Sequence, residues 1–139
     1  MSVIARSSYG MQVDVEAGGH FITADEPVDW GGTNVGPNPY DLLLSSLAAC
    51  TVMTVEMYAR RKEWPLEEVT VNLSTHKIHA RDCEDCESDP DAKVDIIEKE
   101  LTFKGDLTRE QRDRLLYIAG RCPVHRTLEG EIKIRSSRT

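Results

Sequence analysis

Four cysteines and four histidines hold most of the reactive chemistry in this 139-residue chain: Cys50, Cys83, Cys86 and Cys122, with His20, His76, His79 and His125. A thiol is a nucleophile, a redox centre, a soft metal ligand or simply a small apolar side chain, so spacing and surroundings must choose. Cys122 sits between Arg121 and Pro123. Proline at a first helical position makes Cys122 the N-cap of a short helix, where free N–H groups and the helix dipole favour thiolate, and Arg121 adds a cation. Cys50 has no such help. It lies eleven residues past Pro39, and a dipole acts over about one turn, so its activation needs a side-chain cation from elsewhere.

The other two cysteines belong to the pattern His76-x2-His79-x3-Cys83-x2-Cys86. Imidazole nitrogen and thiolate suit tetrahedral zinc, and a C-x2-C pair can chelate. Alternation along a strand puts His76 and His79 on opposite faces, so at most one histidine, with His79 the nearer in sequence, joins Cys83 and Cys86. Their segment, R-D-C-E-D-C-E-S-D-P-D-A-K from Arg81, reads as an exposed acidic connection. Asp82, Glu84, Asp85, Glu87 and Asp89 repel thiolate and make these thiols poor nucleophiles unless a metal intervenes. Zinc site, accessory redox pair and functionless loop all remain open. His20 is isolated; His125, three residues after Cys122, is either its neighbour or a surface residue.

The elements that must hold these residues can be read in outline. Residues 2–24 alternate loosely and break at Tyr9-Gly10 and Gly18-Gly19, which predicts two or three short antiparallel strands. Asp25 to Pro37 is a loop rich in glycine and proline. Asn38 as N-cap, Pro39 at the first helical position and Asp41 in the first turn open a long helix. From Leu42 to Tyr58 its apolar residues fall on almost every side, which predicts a buried spine, too short and too interrupted by Ser45, Ser46, Thr51, Thr54 and Glu56 for a membrane span. Arg60, Arg61 and Lys62 suit its C-terminus, and Trp64-Pro65 closes it. Val69 to His79 and Val94 to Phe103 alternate as half-buried strands and should pair antiparallel. Thr108 and Gln111 form a capping box before an amphipathic helix containing Leu115, Leu116 and Ile118, which Gly120 ends. Gly130 to Arg135 reads as a last short strand.

The length fits one domain spanning residues 1–139, with one core. Seventeen basic against twenty-four acidic residues give a net charge of −7, which disfavours nucleic acid and anionic membranes as partners. The start of the chain lacks an apolar signal-peptide region, so the expected compartment is the cytoplasm, with the thiols reduced at rest.

The run G-P-N-P-Y-D-L-L-L-S-S-L-A-A-C-T, a long helix, strands and a late C-P-V-H together resemble the OsmC/Ohr superfamily of osmotically induced and organic hydroperoxide resistance proteins. The resemblance implies an α+β fold, antiparallel sheets around a long central buried helix, in which two chains intertwine as a homodimer. It implies a thiol-dependent peroxidase without a cofactor, in which Cys50 attacks an organic or lipid hydroperoxide, Cys122 resolves the sulfenic acid and a dithiol reduces the disulfide. Leu43, Leu47, Met53 and Met57 would wall Cys50 against water. The family's peroxidases also orient an activating arginine with a glutamate. Here Tyr40 stands at that glutamate's position with Asp41 beside it, and Arg6 and Arg121 are the arginine candidates. Two alternatives share the same fold: a non-catalytic protein that binds an apolar ligand or senses redox state, and an interaction protein stabilised by zinc at the Cys83/Cys86 loop.

Overall fold

The opening alternation resolves into three antiparallel strands in the computed structural model, which describes residues 1–139. They are β1 (Val3–Ser7), β2 (Val13–Ala17) and β3 (His20–Ala24), in sheet order β1-β2-β3. Gly18 and Gly19, both at positive φ, make the two-residue turn between β2 and β3; a side chain would strain either position. The chain packs as two compact units, Met1–Ser46 and Leu47–Thr139.

In the first unit the loop after β3 is tied together by one buried carboxylate. Asp25, 2 % exposed, accepts hydrogen bonds from the backbone N–H groups of Glu26 (2.8 Å), Thr33 (3.1 Å) and Val35 (3.2 Å) and from the Thr33 hydroxyl (2.8 Å). Burial opposes its charge, but these four donors outweigh burial and hold the carboxyl below its ordinary range. The stabilisation is complete at neutral pH and is lost as the pH falls through that depressed pKa. Gly32 and Gly36 let the loop close, since a Cβ on either would run into the backbone of Glu26 or Thr23.

The long helix α1 (Pro39–Arg61) opens as its sequence requires. The Asn38 side chain accepts from the Asp41 N–H at 2.8 Å while the Asp41 carboxylate accepts from the Asn38 N–H at 3.1 Å, a reciprocal cap that satisfies two otherwise orphaned donors. Glu63, at φ 57°, reverses the chain at the other end, and Trp64 N–H returns to the Ala59 carbonyl. The helix differs from expectation in two ways. Its 23 residues are long and apolar enough to cross a membrane by length and composition, so the interrupting polar residues do not exclude a span. Its buried residues also form one stripe, Leu47, Thr51, Val55 and Ala59, spaced four apart, rather than every face. Val55 and Ala59 pack with Val69, Leu115 and Ala119 into the core of the second unit, as a soluble protein's core helix would. Leu115 and Val55 are fully buried, each adding about 1.5–3 kcal/mol relative to exposure. Met53 and Met57, expected as walls of Cys50, are 63 % and 62 % exposed, and Leu43 is exposed as well.

The remaining elements follow the sequence pattern closely. β4 (Leu66–His79) and β5 (Lys93–Gly105) pair antiparallel, with Val69 opposite Phe103 and His79 opposite Lys93. The segment between them is pinned by Ala80 N–H to the Ala92 carbonyl, Arg81 N–H to the Pro90 carbonyl and an Arg81–Asp91 ion pair, so it is a folded loop. Helix α2 (Arg109–Ala119) carries the Thr108/Gln111 capping box with both of its hydrogen bonds, and α3 (Pro123–Glu129) has Cys122 as N-cap. The expected last strand is absent. Glu131 to Arg135 alternates as a strand should, but no strand in the chain offers it a ladder, and without one an extended segment stays unpaired.

Candidate functional site

Three elements of the second unit meet at the Cys122 sulfur. Cys122, 0 % exposed, ends the turn after α2; its Sγ accepts from the His125 N–H at 3.3 Å and lies 3.6 Å from the Thr51 hydroxyl on α1. Cys50, half-buried beside Thr51 on the helix, is among the groups that act on the same thiol. The two cysteines singled out from the sequence, 72 positions apart by number (122 − 50), thus converge. The buried stripe of α1 brings Thr51 inward, and the neighbouring position, about 100° round the helix, is Cys50.

Lys99 supplies the cation. On β5 it shares the inward face with Ile97, Leu101 and Phe103, and its ammonium donates to the Thr51 hydroxyl (3.0 Å), the Ala119 carbonyl (3.0 Å) and His125 Nδ1 (2.9 Å). Three N–H groups meet three acceptors, so the ammonium is saturated. Burial pulls the Lys99 pKa down, and the charges of Cys122, Cys50 and Glu129 partly offset that. With His125 Nδ1 accepting from Lys99, the ring proton sits on Nε2, which bonds Glu129 at 2.7 Å. A chain of hydrogen bonds therefore runs Glu129, His125, Lys99, Thr51, Cys122.

The consequence for the thiol is a balance of named forces. Burial alone would push the Cys122 pKa up; hydrogen bonds from Thr51, the His125 N–H and Cys50, together with the Lys99 charge, outweigh it and hold the thiol below its ordinary value. The Thr51 hydroxyl has one proton and two acceptors, the Leu47 carbonyl at 2.8 Å and Cys122. A negative sulfur is the better acceptor of the two.

The other sequence candidates have other partners. Arg121 stacks over the Tyr117 ring at 6.0 Å and is not among the groups that set the Cys122 pKa. Arg6 is exposed on β1, opposite Asp14 in the register, and Asp41 is committed to the α1 cap. Cys83 and Cys86 are joined as a disulfide, with Cα atoms 5.4 Å apart, where reduced thiols were expected. Asp85 lies with them, but His79 does not join that group; its Nδ1 is buried without a partner. Sequence reasoning passed over Lys99 and Thr51 and left His125 undecided. The available signal was a lysine at an inward position of an alternating strand, where a charged side chain has to find acceptors.

A cavity of about 640 Å³ opens beside this network. Leu47, Ile78, Ile97 and Leu128 give it apolar wall, Lys99 and His125 lie at one side, and Cys83 with Asp82 and Asp85 lies along its lining.

Residues 31–137 match the family described as OsmC-like protein. The chain belongs to that family. Solved structures agree on the fold of this OsmC-like protein. One is described as an osmotic stress induced and detoxification response protein from Psychrobacter arcticus; it is 20 % identical with a TM-score of 0.72, over 91 % of this chain and 87 % of that one. An OsmC-like protein from Mycoplasma pneumoniae is 20 % identical at 0.72, over 93 % and 86 %. An organic hydroperoxide resistance protein from Legionella pneumophila is 19 % identical at 0.64, over 94 % and 90 %. Among curated proteins nothing matches.

Proposed function

We propose that this OsmC-like protein is a thiol-dependent peroxidase for organic hydroperoxides, with Cys50 as the attacking thiol and Cys122 as the resolving one. The observation that carries the reading is the packing of Thr51, the neighbour of Cys50 on α1, against the Cys122 sulfur, with the Lys99 ammonium bonded to the same hydroxyl and its charge acting on both cysteines. Family membership and the description of the Legionella neighbour as an organic hydroperoxide resistance protein support it.

Cys50 is the accessible sulfur of the pair and Cys122 the stabilised one, so the two steps divide between them. Cys50 attacks the distal oxygen of ROOH; the O–O bond breaks, the alcohol leaves with the thiol proton, and Cys50 becomes a sulfenic acid. Cys122, its thiol made more acidic by Thr51, the His125 N–H and the Lys99 charge, then attacks the Cys50 sulfur as thiolate. The S–O bond breaks, hydroxide takes a proton to leave as water, and a Cys50–Cys122 disulfide remains. Lys99 is the cation nearest both sulfurs, in the place for which Arg6 and Arg121 were the candidates, and its charge acts on Cys122 and Cys50 alike. An external dithiol completes the cycle. Apolar cavity wall from Leu47, Ile78, Ile97 and Leu128 favours an alkyl or lipid hydroperoxide over hydrogen peroxide.

Two copies should form the working unit, in the cytoplasm. The exposed apolar side of α1, with Met53 and Met57, is the kind of surface a soluble chain covers by association. Sedimentation should find a dimer at micromolar concentration; a folded monomer there would count against it.

The activity test is direct. Reduced protein given stoichiometric cumene hydroperoxide should consume it and yield Cys50–Cys122 as the first disulfide in promptly acid-quenched peptide maps, while Cys50→Ser should leave the peroxide at the uncatalysed rate. Peroxide left unconsumed by the reduced wild-type protein would overturn the reading and favour a ligand-binding role for the same cavity.

A further inference from the structure

The acidic loop contains the one feature that the peroxidase reading leaves without a role. Cys83 and Cys86 are half-buried within a segment whose other residues between Arg81 and Asp91 are exposed, they form a disulfide, and Cys83 lines the same cavity as Lys99 and His125, the residues that hold Cys122. We propose that Cys83 and Cys86 are a second redox couple, an internal relay that takes the disulfide from Cys50–Cys122 and presents it at the surface to an external dithiol. The inference rests on the peroxidase reading for its source of oxidising equivalents.

The exchange balances in two steps. The Cys83 thiolate attacks Cys50, the more exposed sulfur of the active-site disulfide; the Cys50–Cys122 bond breaks, a Cys50–Cys83 bond forms, and Cys122 leaves as thiolate. The Cys86 thiolate then attacks Cys83, the mixed disulfide breaks, Cys50 leaves and takes up a proton, and the Cys83–Cys86 disulfide remains. Two electrons have moved from the loop dithiol to the active-site pair, and an external dithiol later returns them to the loop.

Physical surroundings set the direction. A couple whose thiolate is stabilised is the stronger oxidant, because its reduced form is favoured. Cys122 is the thiol whose thiolate is so stabilised: Thr51 and the His125 N–H contact its sulfur, and the Lys99 ammonium lies one bond away on the Thr51 hydroxyl. Cys122 is also the better leaving group. Cys83 and Cys86 sit among Asp82, Glu84, Asp85 and Glu87, and Cys83 Sγ lies 3.2 Å from the Asp85 carboxylate. Negative neighbours disfavour thiolate and so favour the disulfide there. The same carboxylates slow Cys83 as a nucleophile, so migration should follow the peroxide step and not compete with it. The exposed loop is in turn accessible to a reductant that the buried Cys122 would not meet.

Fully reduced protein treated with one equivalent of cumene hydroperoxide, acid-quenched over time and mapped by mass spectrometry, tests the relay. The expected course is Cys50–Cys122 first, then Cys83–Cys86, with a final preference for the loop on the order of tenfold or more. Cys86→Ser should trap the Cys50–Cys83 mixed disulfide. The Cys83→Ser/Cys86→Ser variant should consume its first equivalent at the wild-type rate and stop at Cys50–Cys122. A parallel series with one equivalent of diamide oxidises the thiols without any peroxide chemistry. If peroxide is not consumed but diamide-treated protein still ends with the loop disulfide and Cys86→Ser still traps the Cys50–Cys83 bond, the relay stands and the peroxidase reading falls. If the disulfide stays at Cys50–Cys122 in both series while Cys83 and Cys86 remain thiols, the relay is overturned. Stoichiometric zinc retained on that pair and lost in the double variant would overturn it equally.

Discussion

Around Cys122 the groups that act on the sulfur are a hydroxyl, a backbone N–H, a thiol and an ammonium; around Cys83 and Cys86 they are carboxylates, with Asp85 in contact. The first pair joins a long helix to a helix N-cap across 71 intervening positions (122 − 50 − 1); the second is three residues apart on one loop. The same side chain is placed in opposite electrostatic surroundings, and one cavity is lined both by Cys83 and by Lys99 and His125 of the Cys122 network. Cysteine identity by itself decides little: donors and a cation favour thiolate, while carboxylates disfavour it and favour the disulfide.

The largest expected effect that would sharpen this contrast comes from Cys122→Ser. Without the resolving thiol the first oxidation proceeds but the internal disulfide cannot close, so sulfenic acid should accumulate at Cys50, and sulfinic acid under excess peroxide. Mass spectrometry reads both; an intact catalytic cycle in this variant would break the assignment of Cys122 to the active pair.

Lys99→Met comes next. Removing the cation takes away one of the influences that lower the Cys122 pKa, so a smaller share of the sulfur is thiolate at pH 7. Disulfide closure should slow at pH 7 and recover at a pH well above the raised value, while Lys99→Arg keeps the charge and most of the rate. Thiolate absorbance near 240 nm, followed against pH in a Cys50→Ser background, measures the change. An unchanged titration would mean that hydrogen bonds alone stabilise the sulfur.

A smaller effect is expected from Asp82→Asn with Asp85→Asn. Neutralising two carboxylates makes thiolate less costly at the loop, so the final distribution of the disulfide should move a few-fold back toward Cys50–Cys122. Peptide mapping at low and high salt checks it, since the wild-type preference should weaken as salt screens the loop.

The smallest effect concerns stability. A disulfide across so short a segment removes little freedom from the unfolded chain, about 2 kcal/mol at most, so Cys83→Ser/Cys86→Ser should lower the melting temperature by only a few degrees. A collapse in melting temperature would make the loop a structural staple, and the contrast between the pairs would then be one of stability.

Much of the fold was legible because its signals are local. The glycine pair between β2 and β3, the Asn38/Asp41 cap, the Thr108/Gln111 capping box and the Cys122-Pro123 helix start each involve residues within four positions of one another, and each is present in the structure. Alternation along β4 and β5 likewise anticipated their antiparallel pairing. Local pattern proved insufficient in two places. Residues 131–135 have the alternation of a strand without a strand to pair with, and α1 is apolar on several sides but buried on one.

For the site, the sequence by itself determined the chemistry on offer, two cysteine pairs with one thiol at a helix N-cap, and the family that frames it. Tertiary structure alone decided the electrostatics. Lys99 reaches Thr51, Ala119 and His125 because strand β5 passes alongside α1 and the α2–α3 turn; Arg6, Arg121 and Asp41 were nominated by charge and motif, and their partners in the fold are other groups. The field at a sulfur is a sum over neighbours brought together from distant parts of the chain, and spacing along the chain does not contain that sum.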